Sequence, residues 1–399
     1  MPQAFEGIRV IDLTQVLAGP FAAMQLALLG AQVIKIEQLD IGDQTRSLAK
    51  DSDDMGMTPS FMNMNLNKRS LTLNLKSPEA VAIVKQLVSQ SDVLIENFKA
   101  GTMERLGLSY DDLKEIKPDL IYCSVTGYGQ TGPRAGEAAY DGAIQASSGM
   151  MSQTGHKSTG PTRTGYQPVD MGTGLNTAFA ISAALHRKAT TGLGQRIDVA
   201  MMDTAIVLQA SQFSRYLLEG KLVGLIGNAS HTEQPTANVF PTADGQIQIT
   251  ALKQLQVEKL FRVLGREAQF ADPDFNTLDA RLDNAAAVSE LLVSALSENT
   301  TAYWMENLNN AGIAVAEVRE VPDVITDPQF EHRGVFESID SPLPDKSPVT
   351  IVKAGYTTNE DGPTIRSKPP RLGEHSTEVL TELGFSAEEI KTLRNNGVV

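Results

Sequence analysis

The chain of 399 residues carries 48 acidic against 34 basic side chains, a net charge of −14 that offers no overall basic field to nucleic acid or an anionic membrane. Its 41% hydrophobic and 21% charged content is that of a globular protein, and no stretch reaches the ~18–20 apolar residues of a membrane span. The opening MPQAFEGIRVIDL lacks a basic stretch followed by an apolar one, so no signal peptide is expected, and one cysteine, Cys123, allows no internal disulfide; a cytoplasmic location is expected.

Short apolar strands alternate with helical stretches over the first 200 residues. Ile8 to Leu13 reads as a strand, with Gly19-Pro20 ending the loop after it, and Phe21 to Leu29 as a helix stopped by Gly30. Strands follow at Gln32 to Ile36 and Leu71 to Leu75, then a helix from Pro78 to Ser89 whose proline suits the first turn. Val93 to Ile95 and Leu120 to Val125 are short buried strands, Asn176 to Arg187 an apolar helix, Arg196 to Ala200 a strand and Met202 to Leu218 a helix. This rhythm predicts an α/β fold, a Rossmann-like parallel sheet with helices on its faces.

From about residue 225 the character changes. Asn238 to Ile249 reads as a hairpin turning at Ala243-Asp244-Gly245. Helices follow at Gln254 to Leu264, Asn284 to Ser297 and Ala302 to Ala311, then a strand at Ile313 to Val318. Residues 1–200 and 335–399 are therefore expected to form a large α/β domain, 225–330 a smaller inserted α+β domain, and 201–224 and 331–334 the connections. The proline-rich tail reads as irregular until two short helices at Ser376 to Leu383 and Ala387 to Asn395.

Gly127-Tyr128-Gly129-Gln130-Thr131-Gly132 spells the glycine pattern of a dinucleotide site. Pro133 to Gly136 cannot open the helix such a site needs, so the run reads as a loop. The histidines show no metal-ligand spacing, and no metal site is expected. Asp170, in Gln167-Pro168-Val169-Asp170-Met171-Gly172-Thr173-Gly174, fits a helix N-cap. Residue type and place favour the cap; the same geometry also fits a nucleophile, kept ionised by the helix start, that the two glycines let substrate approach. Asn67-Lys68-Arg69, Lys76, Lys99 and Arg105 are either solvated surface charges or partners for a phosphorylated ligand.

Several stretches together resemble the class III CoA-transferases, typified by formyl-CoA and carnitine CoA-transferases. They are Gly7 to Leu13, Leu17-Ala18-Gly19-Pro20, Leu29 to Glu37, Asn67 to Ser70, Glu96-Asn97-Phe98, Val125 to Pro133, Thr191 to Arg196 and Leu372 to Ser376, in family order across nearly the whole chain. The resemblance implies that Asp170 is the catalytic aspartate and carries CoA as a thioester between an acyl-CoA donor, succinyl-CoA being the one expected, and a carboxylic acid acceptor. It places CoA against Val16, Leu17, Ala18, Leu73, Asn74, Leu75, Lys76, Asn97, Phe98, Lys99, Arg105, Ala139 and Tyr140. CoA is then a substrate, with no tightly bound cofactor. The resemblance further implies an interlocked homodimer, each site lying between the large domain of one subunit and the small domain of the other. Formyl-CoA transferases carry glutamine at Leu17, arginine at Gln38 and lysine at Ala138, and a polyglycine loop without counterpart between Leu222 and Ala251. These departures point to a larger acyl or dicarboxylic substrate. Two alternatives remain: an α-methylacyl-CoA racemase, whose relatives place histidine where Tyr140 stands, and a non-catalytic CoA-binding protein.

Overall fold

The computed structural model describes residues 2–48 and 56–399. The chain divides into two compact units, Met1–Ser148 with Thr164–Phe213 and Pro328–Val399, and Gly149–Arg163 with Ser214–Asp327. Among the described residues no helix is long and apolar enough to cross a membrane.

The first unit is built on strands β1 (Arg9–Leu13), β2 (Gln32–Glu37), β3 (Lys68–Thr72), β4 (Val93–Glu96) and β5 (Ile121–Thr126). The chain then forms β6 (Gly155–His156) and β7 (Gly160–Pro161), a hairpin of the second unit, before β8 (Gln195–Ala200) completes the sheet. All its pairings are parallel, in the order β3-β2-β1-β4-β5-β8. Successive residues of a strand point to opposite faces, so Val10 and Ile11 enter different cores. Val10 joins Ala23, Leu26, Ile95, Cys123 and Ile181 on one face. Ile11 joins Leu71, Ile83, Val84, Leu94 and, from the helix Ser376–Glu382, Leu380 on the other. Covered on both sides, β4 is buried throughout, which is why it reads as a continuous apolar run.

The second unit pairs β9 (Ala237–Pro241), β10 (Gln246–Thr250) and β11 (Ala314–Glu317) in an antiparallel sheet ordered β11-β10-β9. Helices pack their apolar stripes on it through Val257, Leu260, Phe261, Leu292 and Trp304. Back in the first unit, β12 (Phe336–Ile339) and β13 (Val349–Val352) form a hairpin within the tail expected to be irregular.

Other elements depart from the sequence expectation, each for a physical reason. The helix expected from Phe21 begins at Ala18 and takes Gly19 and Pro20 into its first turn, where a missing N–H is not needed. β3 starts at Lys68 rather than Leu71, because Lys68 is buried against a carboxylate. The long helix spans Pro168–Thr191, eight residues earlier than expected, with Gln167 as its N-cap. The single helix expected over 202–218 is two, Met201–Leu208 and Ala210–Glu219, so most of the stretch given to a connection is helical.

The early start of the long helix rests on close packing. A Cβ on Gly174 would lie 2.8 Å from the Ala18 carbonyl oxygen and 2.8 Å from the Phe21 ring, so only glycine lets the two helices meet there. Gly174→Ala is expected to cost about 1–3 kcal/mol, as overpacking does, measured by urea unfolding.

Candidate active site

A cavity of about 280 Å³ opens in the first unit at the carboxyl ends of β1, β4 and β5. Strand order reverses between β1 and β4, and in open α/β sheets ligands bind outside the carboxyl ends at that point. The walls are Gln15 to Ala18 after β1, Gln44, Asn97 to Ala100 after β4, Val125 to Tyr128 at the end of β5, the Gly136 to Tyr140 segment, Asp170 and Met201.

The cavity unites Asp170 with Val16, Leu17, Ala18, Asn97, Phe98, Lys99, Ala139 and Tyr140 from the expected CoA contacts. It does not bring in Leu73, Asn74, Leu75, Lys76 or Arg105. Leu73 is buried in the core and Leu75 packs against it, while Asn74 donates its backbone N–H to Val398 and its side-chain N–H to Gly397. Lys76 is exposed, and Arg105 donates to Thr102 at 2.8 Å. The Asn67-Lys68-Arg69 cluster supplies no free charge either. Lys68 is spent on Asp12, Arg69 pairs with Glu378 and Glu382, and Asn67 donates to the Thr364 carbonyl. Lys99 is the lysine that lines the cavity.

Asp170 is the third residue of its helix, not the N-cap, and is 9% exposed. The capping belongs to Asp141, the first residue of the helix Asp141–Ser147. One Asp141 carboxylate oxygen accepts the Val169 N–H at 2.8 Å and the Asp170 N–H at 3.0 Å, two of the donors a helix start leaves unpaired. Its other oxygen accepts from the Gln145 amide, and the Gln145 oxygen accepts the Thr164 N–H at 3.1 Å and the Thr164 hydroxyl at 3.2 Å. The helix start therefore does little to keep Asp170 ionised. Burial, and then the charge of Asp141, raise the Asp170 carboxyl to about 7. The neighbouring glycines serve packing rather than substrate approach: Gly172 faces Leu208 and Thr204, and Gly174 faces Ala18 and Phe21.

Val16 has φ of 73°, the left-handed region, which costs a β-branched residue on the order of 1–3 kcal/mol. Its N–H donates to Asp43 at 3.1 Å, and Asp43 pairs with the buried Lys35 at 2.9 Å. Asn97 brackets Gln15, its oxygen accepting the Gln15 N–H at 2.9 Å and its nitrogen donating to the Gln15 carbonyl at 2.7 Å.

The glycine pattern after β5 forms a loop with no helix opening at Gly132. Gly127 lines the cavity, and a Cβ there would sit 2.2 Å from that of Ala139. Its smallness admits the Gly136 to Tyr140 wall rather than a pyrophosphate. Arg134 anchors that wall, stacked 3.7 Å over the Tyr128 ring and paired with Glu137 at 2.7 Å.

Sequence reasoning missed Gln15, Gln44, Asp43, Asp141 and Met201. A polar residue just past the end of β1 was the available signal for Gln15; nothing local marks Gln44, or Asp43 as a partner of Val16. Among the described residues no cluster of His, Cys, Asp and Glu is placed to hold a metal ion.

The sequence profile of CoA-transferase family III matches residues 5–376. The chain is 34% identical to succinyl-CoA:glutarate CoA-transferase of Mus musculus, over 99% of this chain and 90% of that one. It is 36% identical to acetyl-CoA:oxalate CoA-transferase of Acetobacter aceti, over 97% of each. The crystal structure of a CaiB/BaiF family protein from Brucella suis superposes with a TM-score of 0.85 at 34% identity, covering 96% of this chain and 100% of that one.

Proposed function

The chain belongs to CoA-transferase family III, and on that premise we propose that it transfers CoA from an acyl-CoA donor to a carboxylic acid through a thioester on Asp170. One observation carries this reading: Asp170 lies buried in the wall of a cavity shared with Val16 to Ala18, Asn97 to Lys99 and Ala139-Tyr140, the segments expected to hold CoA.

The Asp170 carboxylate attacks the donor thioester carbonyl, the C–S bond breaks, and CoA leaves as thiolate from a mixed anhydride. The thiolate attacks the aspartyl carbonyl of that anhydride, releasing the donor acid and leaving aspartyl-CoA. The acceptor carboxylate attacks this thioester and forms a second anhydride, again freeing thiolate. Attack of thiolate on the acceptor's acyl carbon gives the new acyl-CoA and restores Asp170. Acyl activation is conserved throughout, so the cycle needs neither ATP nor a metal. A carboxyl held near 7 is more basic than an ordinary carboxylate, and so a stronger nucleophile once ionised.

Succinyl-CoA as donor and a dicarboxylate as acceptor are supported by the names of the relatives, which pair succinyl-CoA with glutarate and acetyl-CoA with oxalate. An interlocked homodimer is supported by apolar surface on the first unit. Leu175 and Phe179 lie one turn apart on the helix Pro168–Thr191 and are 54% and 76% exposed, and Val207 and Leu208 are exposed on the next helix.

Incubation with succinyl-CoA at pH 8, where Asp170 is ionised, followed by hydroxylamine should convert Asp170 to a hydroxamate that peptide mass spectrometry locates. The modification should require both reagents. Turnover with Asp170 unmodified, or a hydroxamate on another carboxylate, overturns the assignment.

A further inference from the structure

We infer that Asn97 is a positioning residue, which holds the Gln15–Val16 backbone in the shape that the acyl-CoA site requires. The inference rests on the transferase reading of the site. β1 and β4 run parallel with Leu13 opposite Glu96, and beyond that pair the two backbones part at the point where strand order reverses. The Asn97 side chain spans the gap. Its oxygen takes the Gln15 N–H at 2.9 Å and its nitrogen gives to the Gln15 carbonyl at 2.7 Å, so one carboxamide replaces the next rung of the ladder.

Peptide groups on either side of Gln15 are also held by side chains. The Thr14 N–H donates to Asp12 at 2.9 Å, the Thr14 carbonyl accepts from Lys35 at 2.7 Å, and the Val16 N–H donates to Asp43 at 3.1 Å. This bonding has a purpose at Val16, whose positive φ is disfavoured for a residue branched at Cβ and persists only where the surroundings enforce it. The arch delivers Leu17 and Ala18 to the cavity wall beside Asp170, and the helix starting at Ala18 has no side-chain cap of its own. With Asn97 removed, Val16 relaxes toward negative φ and carries Leu17 and Ala18 out of place.

Glycine adopts positive φ without the Cβ penalty, so a double-mutant cycle between Asn97→Ala and Val16→Gly separates holding from contact. In the wild-type background Asn97→Ala should lower kcat by about 10²-fold, the scale of a 1 Å misplacement. In the Val16→Gly background the same change should cost about 10-fold or less, because the arch no longer needs to be forced. Hydrogen exchange should show the Gln15 N–H losing protection in Asn97→Ala while the core strands keep theirs. Equal losses in both backgrounds, or a raised KM for succinyl-CoA at unchanged kcat, overturn the inference. Should Asn97→Ala fail to fold, Asn97→Asp, which keeps the acceptor and sets a negative oxygen where the donor stood, runs the same cycle. Lack of any transfer activity in the wild type would sink the transferase reading; protection at Gln15 that Asn97→Ala leaves intact would sink the positioning role of Asn97.

Discussion

Asp170→Asn should lower kcat by at least about 10³-fold and, at pH 8, make the protein more stable than the wild type. The carboxamide cannot form the mixed anhydride, so the loss should fall on kcat with any acyl-CoA and any acceptor. The gain in stability has a separate cause. In the folded protein the Asp170 carboxyl is raised to about 7, first by burial and then by Asp141, whereas in the unfolded chain it returns to the ordinary carboxylate value. A raised carboxyl contributes stability that is intact below the ordinary value and lost as pH rises through about 7. At pH 8 the wild type therefore holds an unfavourable buried charge that asparagine lacks, a difference of about 4 kcal/mol at about 1.4 kcal/mol for each pKa unit. At pH 4 Asp170 is largely protonated in the fold and the two proteins should unfold together. Urea midpoints at both pH values, beside steady-state rates, test the pair of claims. Equal midpoints at pH 8 would mean that Asp170 ionises freely, without the repulsion its neighbour imposes.

How much of this was legible in the sequence depends on whether the cause was local. The helix Pro78–Ser89 carries its own start signals, a proline at its first position and Ser77 accepting from Glu79 and Ala80, and its expected bounds agree with those observed. The β9–β10 hairpin announces itself through apolar runs around Ala243-Asp244-Gly245. The helix Pro168–Thr191 does not, because Gly172 and Gly174 read as loop while the forces that extend it lie elsewhere: Asp141 on its first turn and Ala18 with Phe21 against Gly174. Tertiary packing there overrides propensity. Asp170 and its companions were found by resemblance, not by spacing, which left a plain cap the better account. The arch at Val16 was not legible at all, since its conformation is imposed by Asp43 and Asn97, from 27 and 82 residues along the chain for the two bonded positions. Leu73 and Asn74 illustrate the converse, residues carried over by position that the fold engages in the core and at the C-terminus.

Lys68→Met should destabilise the fold by about 3–5 kcal/mol, the cost of leaving a buried charge without its partner. Lys68 belonged to the cluster that the sequence offered as a phosphate contact, yet its ammonium is fully buried and its donors are all engaged: Asp12 at 2.8 Å, the Pro20 carbonyl at 2.8 Å and Asn65 at 3.0 Å. Burial alone would raise the Asp12 carboxyl, but Lys68 and Lys35 outweigh it and hold it at about 2. A depressed carboxyl contributes stability that is present above the ordinary carboxylate value and lost as pH falls through about 2. The destabilisation by Lys68→Met should therefore be largest near neutral pH and shrink toward pH 3, where Asp12 in the variant takes up a proton and ceases to be an orphaned charge. Adding Asp12→Asn to Lys68→Met should recover part of the loss at pH 7 and little at pH 3, because the amide supplies at neutral pH the neutrality that acid supplies otherwise. Urea unfolding at the two pH values reads each arm. A pH-independent cost, with no recovery in the double variant, would mean that Lys68 acts by filling volume and not by charge. Asp12 also receives the Thr14 N–H, so this pair stands directly beneath the arch that shapes the cavity, and residual transfer activity in the double variant reports how far the site depends on its buried ions.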